Sequence, residues 1–392
     1  MKRNIPLLIV IQSLYSAWFW LGIWIPYYLL FTNYAGVGII EMVVFILVFV
    51  LEIPTGAFAD IVGKKKTLMI ALFLSAFGQL FMGFAQSFWY LIISIVILGF
   101  ASALNSGTYD ALMYDSLKTL KREKEYDKIY SRLQVATLVV MALCSAVGGY
   151  LYTINPRLPF ILTGIFVLIG FVFTFFLKEP PIDTVKYSFK AYLKQNIEGF
   201  RELFRVKEAI PFIFLILGAY SFSHILMEVL DPSLLIAFSF TEAQMGVIYA
   251  FMPIISAIGV YLYPQIVKRF GKRAYLIFTF GTLIIATAIS PFIGMVTALI
   301  SLSYRNFFYQ TIATASSDTI NSFVDSKYRA TTLSTFNMLK NLPYVIAAYG
   351  LGYLTDTVGA KDTVMWLSIV YAGVFVIVAG WALFKRTPDL KD

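Results

Sequence analysis

Gly56-Ala57-Phe58-Ala59-Asp60-Ile61-Val62-Gly63-Lys64-Lys65-Lys66 is a short polar break between two long apolar runs. Residues 37–61 precede its end and 67–86 follow it. Each has about the 20 residues a helix needs to cross the hydrocarbon core of a bilayer. Outward from this loop the pattern repeats over 6–31, 88–114, 130–153, 158–177, 209–236, 243–268, 274–291, 293–318, 331–355 and 363–384. Twelve apolar stretches therefore occupy nearly all of the 392 residues. The expected class is an all-α membrane protein with twelve transmembrane helices.

The composition agrees. Hydrophobic residues make up 59% of the chain and charged residues 14%, against roughly 25% charged in a soluble domain. Mean hydropathy is +0.78. Hydrocarbon favours helices whose backbone groups are bonded internally and sheathed in apolar side chains. The 17% aromatic share suits belts at the two interfaces.

The net charge of +9 is a matter of topology. With the N-terminus inside, every Lys and Arg except Arg157, Lys361, Arg305 and Lys340 lies in an inner segment or an adjoining helix end. Positive residues favour the cytoplasmic side. A multi-pass protein of the cell membrane with both termini cytoplasmic follows, and no nucleic-acid partner is expected. The first run starts almost at Met1, is too long for a signal peptide's apolar core and lacks a clear small-residue cleavage site. It reads as a retained helix. The single Cys144 cannot close an internal disulfide.

The longest polar segment divides the spans six and six. The expected organisation is a bundle over 1–177, a cytoplasmic linker over 178–208 and a second bundle over 209–392. Phe189, Leu193, Ile197, Phe200 and Phe204 recur at helical spacing among Lys186, Lys190, Lys194 and Arg201. That pattern predicts an amphipathic helix on the inner leaflet. The halves echo one another. Gly63-Lys64-Lys65 recurs as Gly271-Lys272-Arg273; Asp115, Ser131 and Gly149 recur as Asp318, Ser334 and Gly352. Such repeats mark duplicated transporters whose site lies between the halves.

Gly56, Asp60, Gly63, Lys64 and Lys65 resemble the signature between spans two and three of the major facilitator superfamily. Ile61 departs from it, because a basic residue is usual there. The topology and the degenerate second copy extend the resemblance over the chain. It implies two pseudo-symmetric six-helix bundles that alternate access to a central cavity. It also implies that Asp60 meets the N-terminus of span eleven and that Lys64 or Lys65 pairs with Asp115, a latch on the inner side. A Gly-Pro-rich antiporter motif is reduced to Gly148-Gly149, and span four lacks the Arg of many proton-coupled members.

Ionisable residues inside spans cost about 2.5–3.5 kcal/mol each on insertion scales, so each needs a partner, water or a task. Glu52 and Lys340 lie about 12 and 13 Å from the inner surface at 1.5 Å per residue. They read as a pair across the halves, either a gate or a permanent bridge. Arg305 in span ten has a depth like that of His224 and Glu228 in span seven. An Arg beside a Glu can hold an anionic group, couple a proton to transport, or simply order the bundle. Glu41 and Asp231 lie near outer helix ends, where solvation is open to them. Asp110, one and a half turns deeper than Asp115, reads as part of the inner latch, with a proton site as the other option. Tyr15, Trp18, Gly22 and Ile25 fall on one face of span one, either lining the cavity with aromatics or facing lipid. Asn105 adds a polar group in span four.

One His and one Cys exclude the usual zinc constellations, and neither a phosphate-cradling loop nor a serine nucleophile elbow occurs. No metal, cofactor or enzymatic activity is expected. The expected protein is a monomeric secondary transporter of a small organic solute in a lipid bilayer, with protons as the candidate coupling ion. Efflux of amphipathic compounds is the leading reading. The alternative is an uptake carrier for an anionic or zwitterionic metabolite bound through Arg305.

Overall fold

Each apolar run folds as helix, as a solvent without hydrogen-bonding partners demands. The computed structural model describes residues 1–181, 197–324 and 328–384, apart from the side chains of 48, 49, 52–57, 60 and 330. Among the described residues there is no strand. Spans two and three are Tyr34–Val62 and Lys64–Gly83; spans five and six are Tyr126–Ile154 and Leu158–Thr174. Spans eight to twelve are Glu242–Phe270, Lys272–Ala288, Met295–Phe323, Arg329–Val358 and Ala360–Phe384. Of the expected linker helix, the described part is helical over 197–203. Phe189, Leu193, Lys186, Lys190 and Lys194 lie outside the described residues.

Three spans are interrupted. Span four divides into Phe88–Asn105 and Thr108–Thr119, with Gly107 between them at φ +72°, a left-handed conformation that glycine adopts without steric cost. Span seven passes from Ile210–Ile225 through a π-helical turn, Leu226–Leu230, into Asp231–Ala237. Span one is helical over Asn4–Tyr15 and Trp24–Tyr28 only. The expectation of one continuous helix over 6–31 is corrected, and with it the stripe of Tyr15, Trp18, Gly22 and Ile25. Helical spacing does not carry across the unwound stretch, and Ile25 is fully buried.

Unwound backbone inside a membrane must find partners within the protein. Turns within the stretch supply most of them, and Thr163 of span six adds to them. Thr163 Oγ1 accepts from the Phe19 N–H at 3.2 Å, while its one proton has the Pro159 carbonyl at 2.9 Å and the Ala17 carbonyl at 3.2 Å as acceptors. The stretch packs on Cys144 and Phe166, and Gly148 passes directly against the Phe19 carbonyl.

Contacts group the chain into two compact units, Met1–Phe189 with Thr241–Phe251, and Lys190–Phe240 with Met252–Asp392. In the first unit, span three packs on spans four and six, span two on span four, and span one on span six. Leu8, Leu68, Leu72, Leu112, Leu133 and Val167 form part of its core. In the second, span seven packs on spans ten, eleven and twelve and is buried along most of its length. Close packing of this kind is what holds helices together in lipid, where apolar side chains gain little by leaving their surroundings.

The end of the first unit that carries the N-terminus is tied by polar contacts. Asn4 donates to Ser116 Oγ at 2.9 Å and to the Lys178 carbonyl at 2.8 Å, and accepts from the Lys178 N–H at 3.0 Å. Gly63, at φ +99°, ends span two and turns the chain directly into span three. The first two N–H groups of span three, Lys64 and Lys65, donate to Glu179 Oε1 and Oε2 at 2.8 and 2.9 Å. A carboxylate suits this position, because the start of a helix carries unpaired donors and partial positive charge. Glu179→Ala is expected to destabilise the unit by about 1–3 kcal/mol, the usual cost of stranding donors bonded to a charged group. Unfolding in mixed micelles measures it; an unchanged midpoint would show that water replaces Glu179 freely.

Candidate functional site

The second unit places a chain of polar aromatic groups around the middle of span seven. Tyr220, His224 and Glu228 are four residues apart and share one helix face through the π turn. Such turns recur at functional sites because they displace side chains from regular spacing. His224 Nδ1 lies 3.6 Å from Glu228 Oε1 and 3.3 Å from the Tyr309 hydroxyl of span ten. That hydroxyl lies 3.3 Å from the Tyr220 hydroxyl. Span eleven adds Lys340, whose Nζ sits 4.1 Å from the Tyr220 ring centroid, and Tyr344, edge-on to His224. The Glu228 side chain keeps 33% of its surface exposed while His224 keeps 7%. A partly exposed carboxylate thus adjoins a buried imidazole and two phenols.

Arg305 belongs to a different cluster. Its Nη2 donates to Asp231 Oδ1 at 2.6 Å and its Nη1 to Ser301 Oγ at 2.7 Å; Ser301 in turn donates to the Ala286 carbonyl. Both charged side chains are buried, at 6% and 4% exposure. Asp231 is therefore not solvated at a helix end. The depth comparison that set Arg305 beside Glu228 ignored that Asp231 begins a new helix after the π turn, where its carboxylate takes the guanidinium instead.

The first unit has its own polar region. Tyr15 faces the side chains of Asn105 and Ser75. The Trp18 indole N–H is bonded to the Tyr15 carbonyl and its ring is stacked on Trp20. At the break in span four a cavity of about 240 Å³ opens among Gln12, Asn105, Asp110, Tyr130, Gln134 and Thr137. Asp110 lines this cavity and forms no ion pair among the described residues, so the structure does not place it in the latch. Lys64 Nζ pairs instead with Asp115, and Lys65 Nζ donates to the Phe175 carbonyl at 3.1 Å.

The repeat is visible in the same contacts. Gly271, at φ +82°, precedes Lys272 as Gly63 precedes Lys64, and Lys272 Nζ lies 3.0 Å from Asp318 Oδ2. Both units thus close the same ion pair at positions that the sequence repeat relates. Tyr263 adds a hydrogen bond to Asp318 in the second. Gly56, Asp60 and Glu52 lie outside the residues whose side chains are described, so the proposed contacts of Asp60, and of Glu52 with Lys340, lie outside them too.

The sequence reading missed Tyr220, Tyr309, Tyr344, Gln12 and Gln134. Tyr220 was accessible to it, being one turn before His224 on the same face. The others lie on different helices, where no local spacing connects them.

These clusters sit in a helical membrane scaffold of duplicated architecture, that of a secondary transporter. The chain belongs to the Major Facilitator Superfamily, whose family model matches residues 7–348. It is 21% identical to the uncharacterized MFS-type transporter YxaM of Bacillus subtilis (strain 168), over 95% of this chain and 93% of that one. It is 22% identical to multidrug resistance protein 1 of the same organism, over 77% and 78% of the two chains. The crystal structure of the nucleoside transporter NupG superposes with a TM-score of 0.80 at 16% identity, over 98% of both chains. The protein is a multi-pass membrane transporter of this fold, with twelve transmembrane helices in two six-helix bundles.

Proposed function

We propose that the protein is a proton-coupled exporter of amphipathic organic compounds in the cell membrane, a monomer with both termini cytoplasmic, and that Glu228 carries the proton. The observation that supports this most is the Glu228–His224–Tyr309–Tyr220 chain. It sets a partly exposed carboxylate against buried groups able to give and receive a proton. Ionisable residues kept inside spans commonly serve proton relays. Lys340 adds a positive charge beside the same chain, against the Tyr220 ring. The export direction draws on similarity to a multidrug resistance protein. The loop at Gly56, Asp60, Gly63, Lys64 and Lys65, with Asp115, Glu52 and Lys340, serves in this reading as the inner gate. Arg305 is engaged by Asp231, which does not favour its use as a binding site for an anionic metabolite.

Proteoliposome flux over a panel of amphipathic solutes, with and without an imposed pH gradient, tests the proposal. Glu228→Gln is expected to reduce gradient-driven flux by about a hundredfold or more, the scale of losing a positioned proton carrier. Counterflow at equal pH and the unfolding midpoint are expected to persist. Undiminished gradient-driven flux in Glu228→Gln would make Glu228 a structural residue.

A further inference from the structure

The cavity of the first unit is polar and carries a single charged residue among its described lining. We infer that it is a binding site for an organic ammonium group, held by Asp110 where span four breaks at Gly107. Three observations meet there. The cavity holds about 240 Å³, some eight times the roughly 30 Å³ share of a water molecule. Asp110 is the one charged residue among the described lining, and no Lys or Arg faces it there. Gln12, Asn105 and Gln134, also in the lining, bring carboxamide groups, each with an acceptor oxygen.

The remaining groups extend the polar lining. Tyr109 has spent its hydroxyl proton on the Leu8 carbonyl, and Thr137 has spent its own on the Gln134 carbonyl. Both oxygens are left as acceptors. An ammonium group offers N–H donors and no acceptor, so it complements a carboxylate, carboxamide oxygens and spare hydroxyl lone pairs. A carboxylate or phosphate solute would meet Asp110 with like charge. A neutral alcohol would leave Asp110 without an opposing charge. A bare metal ion would be too small for the space, since its ligands must close to about 2.0–2.6 Å. The volume fits an amine of modest size, with Tyr130 available as an aromatic wall.

The test uses the full-length protein in nanodiscs and three probes of nearly one shape: tyramine (cation), tyrosol (neutral) and 4-hydroxyphenylacetate (anion). Calorimetry without any proton gradient is expected to show saturable binding of tyramine alone. Asp110→Asn is expected to weaken it by about tenfold or more, the scale of a lost charge-assisted contact. Should Asp110→Asn fail to fold, Thr137→Cys in a Cys144→Ala background gives a second readout. Tyramine is expected to slow thiol labelling there, and tyrosol to leave it unchanged. Absence of tyramine binding, equal binding of tyrosol, or unaltered affinity in Asp110→Asn would each overturn the assignment. Binding is read without transport, so this outcome is independent of the role proposed for Glu228.

Discussion

Asp231→Asn is expected to lower the stability of the second unit by about 3–5 kcal/mol, the usual cost of removing one partner from a buried ion pair. The guanidinium of Arg305 would remain inside the bundle, bonded to Ser301 but with no opposing charge. Arg cannot shed its proton under these conditions, so it has no way to become neutral. The reverse change is expected to be milder. In Arg305→Gln the stranded Asp231 can take up a proton and lose its charge. The double variant Asp231→Asn/Arg305→Gln places two neutral amides where two charges stood, and is expected to recover most of the loss. Unfolding of the four proteins in mixed micelles, arranged as a double-mutant cycle, measures the coupling directly. Additive effects would show that the two side chains do not depend on one another. The asymmetry between the single variants is the sharper test, because a purely steric account gives no reason for the Arg to be the worse survivor.

The same pair marks where reading the sequence succeeds and where it stops. Apolar runs of about 20 residues leave a polytopic chain few alternatives, so the twelve spans were legible before any coordinates. The repeat was legible for a related reason. Gly63-Lys64 and Gly271-Lys272 are local pairs, and their partners Asp115 and Asp318 recur with a nearly matching offset. Breaks within spans were not legible. The residues Trp18-Phe19-Trp20-Leu21 are apolar and contain no proline, yet the chain unwinds there, its backbone partnered by local turns and by Thr163, distant in sequence. Once span one unwinds, an alignment of side chains computed along a helix loses its meaning. Depth estimates fail for the same reason at Asp231, beyond the π turn of span seven. Glu179 escaped notice because its task, accepting the first N–H groups of span three, belongs to a helix over a hundred residues earlier.

Candidate site residues divide along this line. His224 and Glu228 share a helix, and the structure keeps them together. Tyr15 and Asn105 come from different helices and also meet. Arg305 was joined to Glu228 by depth alone, and depth does not specify azimuth around the bundle axis. Two residues at one level of a membrane can face opposite sides of their helices. Sequence spacing resolves this within a helix and is silent between helices. The polar tyrosines around His224 are in that silent category, since an isolated Tyr in an apolar run reads equally well as an interfacial or a buried group.

Gly148→Ala is expected to be among the most damaging single-methyl additions the chain can receive. A Cβ at that position would stand 1.7 Å from the Phe19 carbonyl oxygen and 2.5 Å from its carbon. The obstacle is backbone, so rotation of a side chain cannot relieve it. Nor can the backbone move freely, because the Phe19 N–H, in the same residue, is held by Thr163. Overpacking in a well-filled interior typically costs about 1–3 kcal/mol, and breaking the Thr163 contacts would add to that. A loss of more than about 3 kcal/mol, or failure to recover monodisperse protein from detergent, is therefore expected. Gly380 provides the control. It lies within the helix of span twelve, and a Cβ there would meet nothing within 4 Å. Gly380→Ala replaces the poorest helix former short of proline with the best, and is expected to be neutral or to stabilise by up to about 1 kcal/mol. Melting of the two variants side by side separates a steric effect from a general intolerance of glycine substitution. Equal midpoints would mean that span one can withdraw from span five, and that the Thr163 contacts do not fix the unwound segment in place.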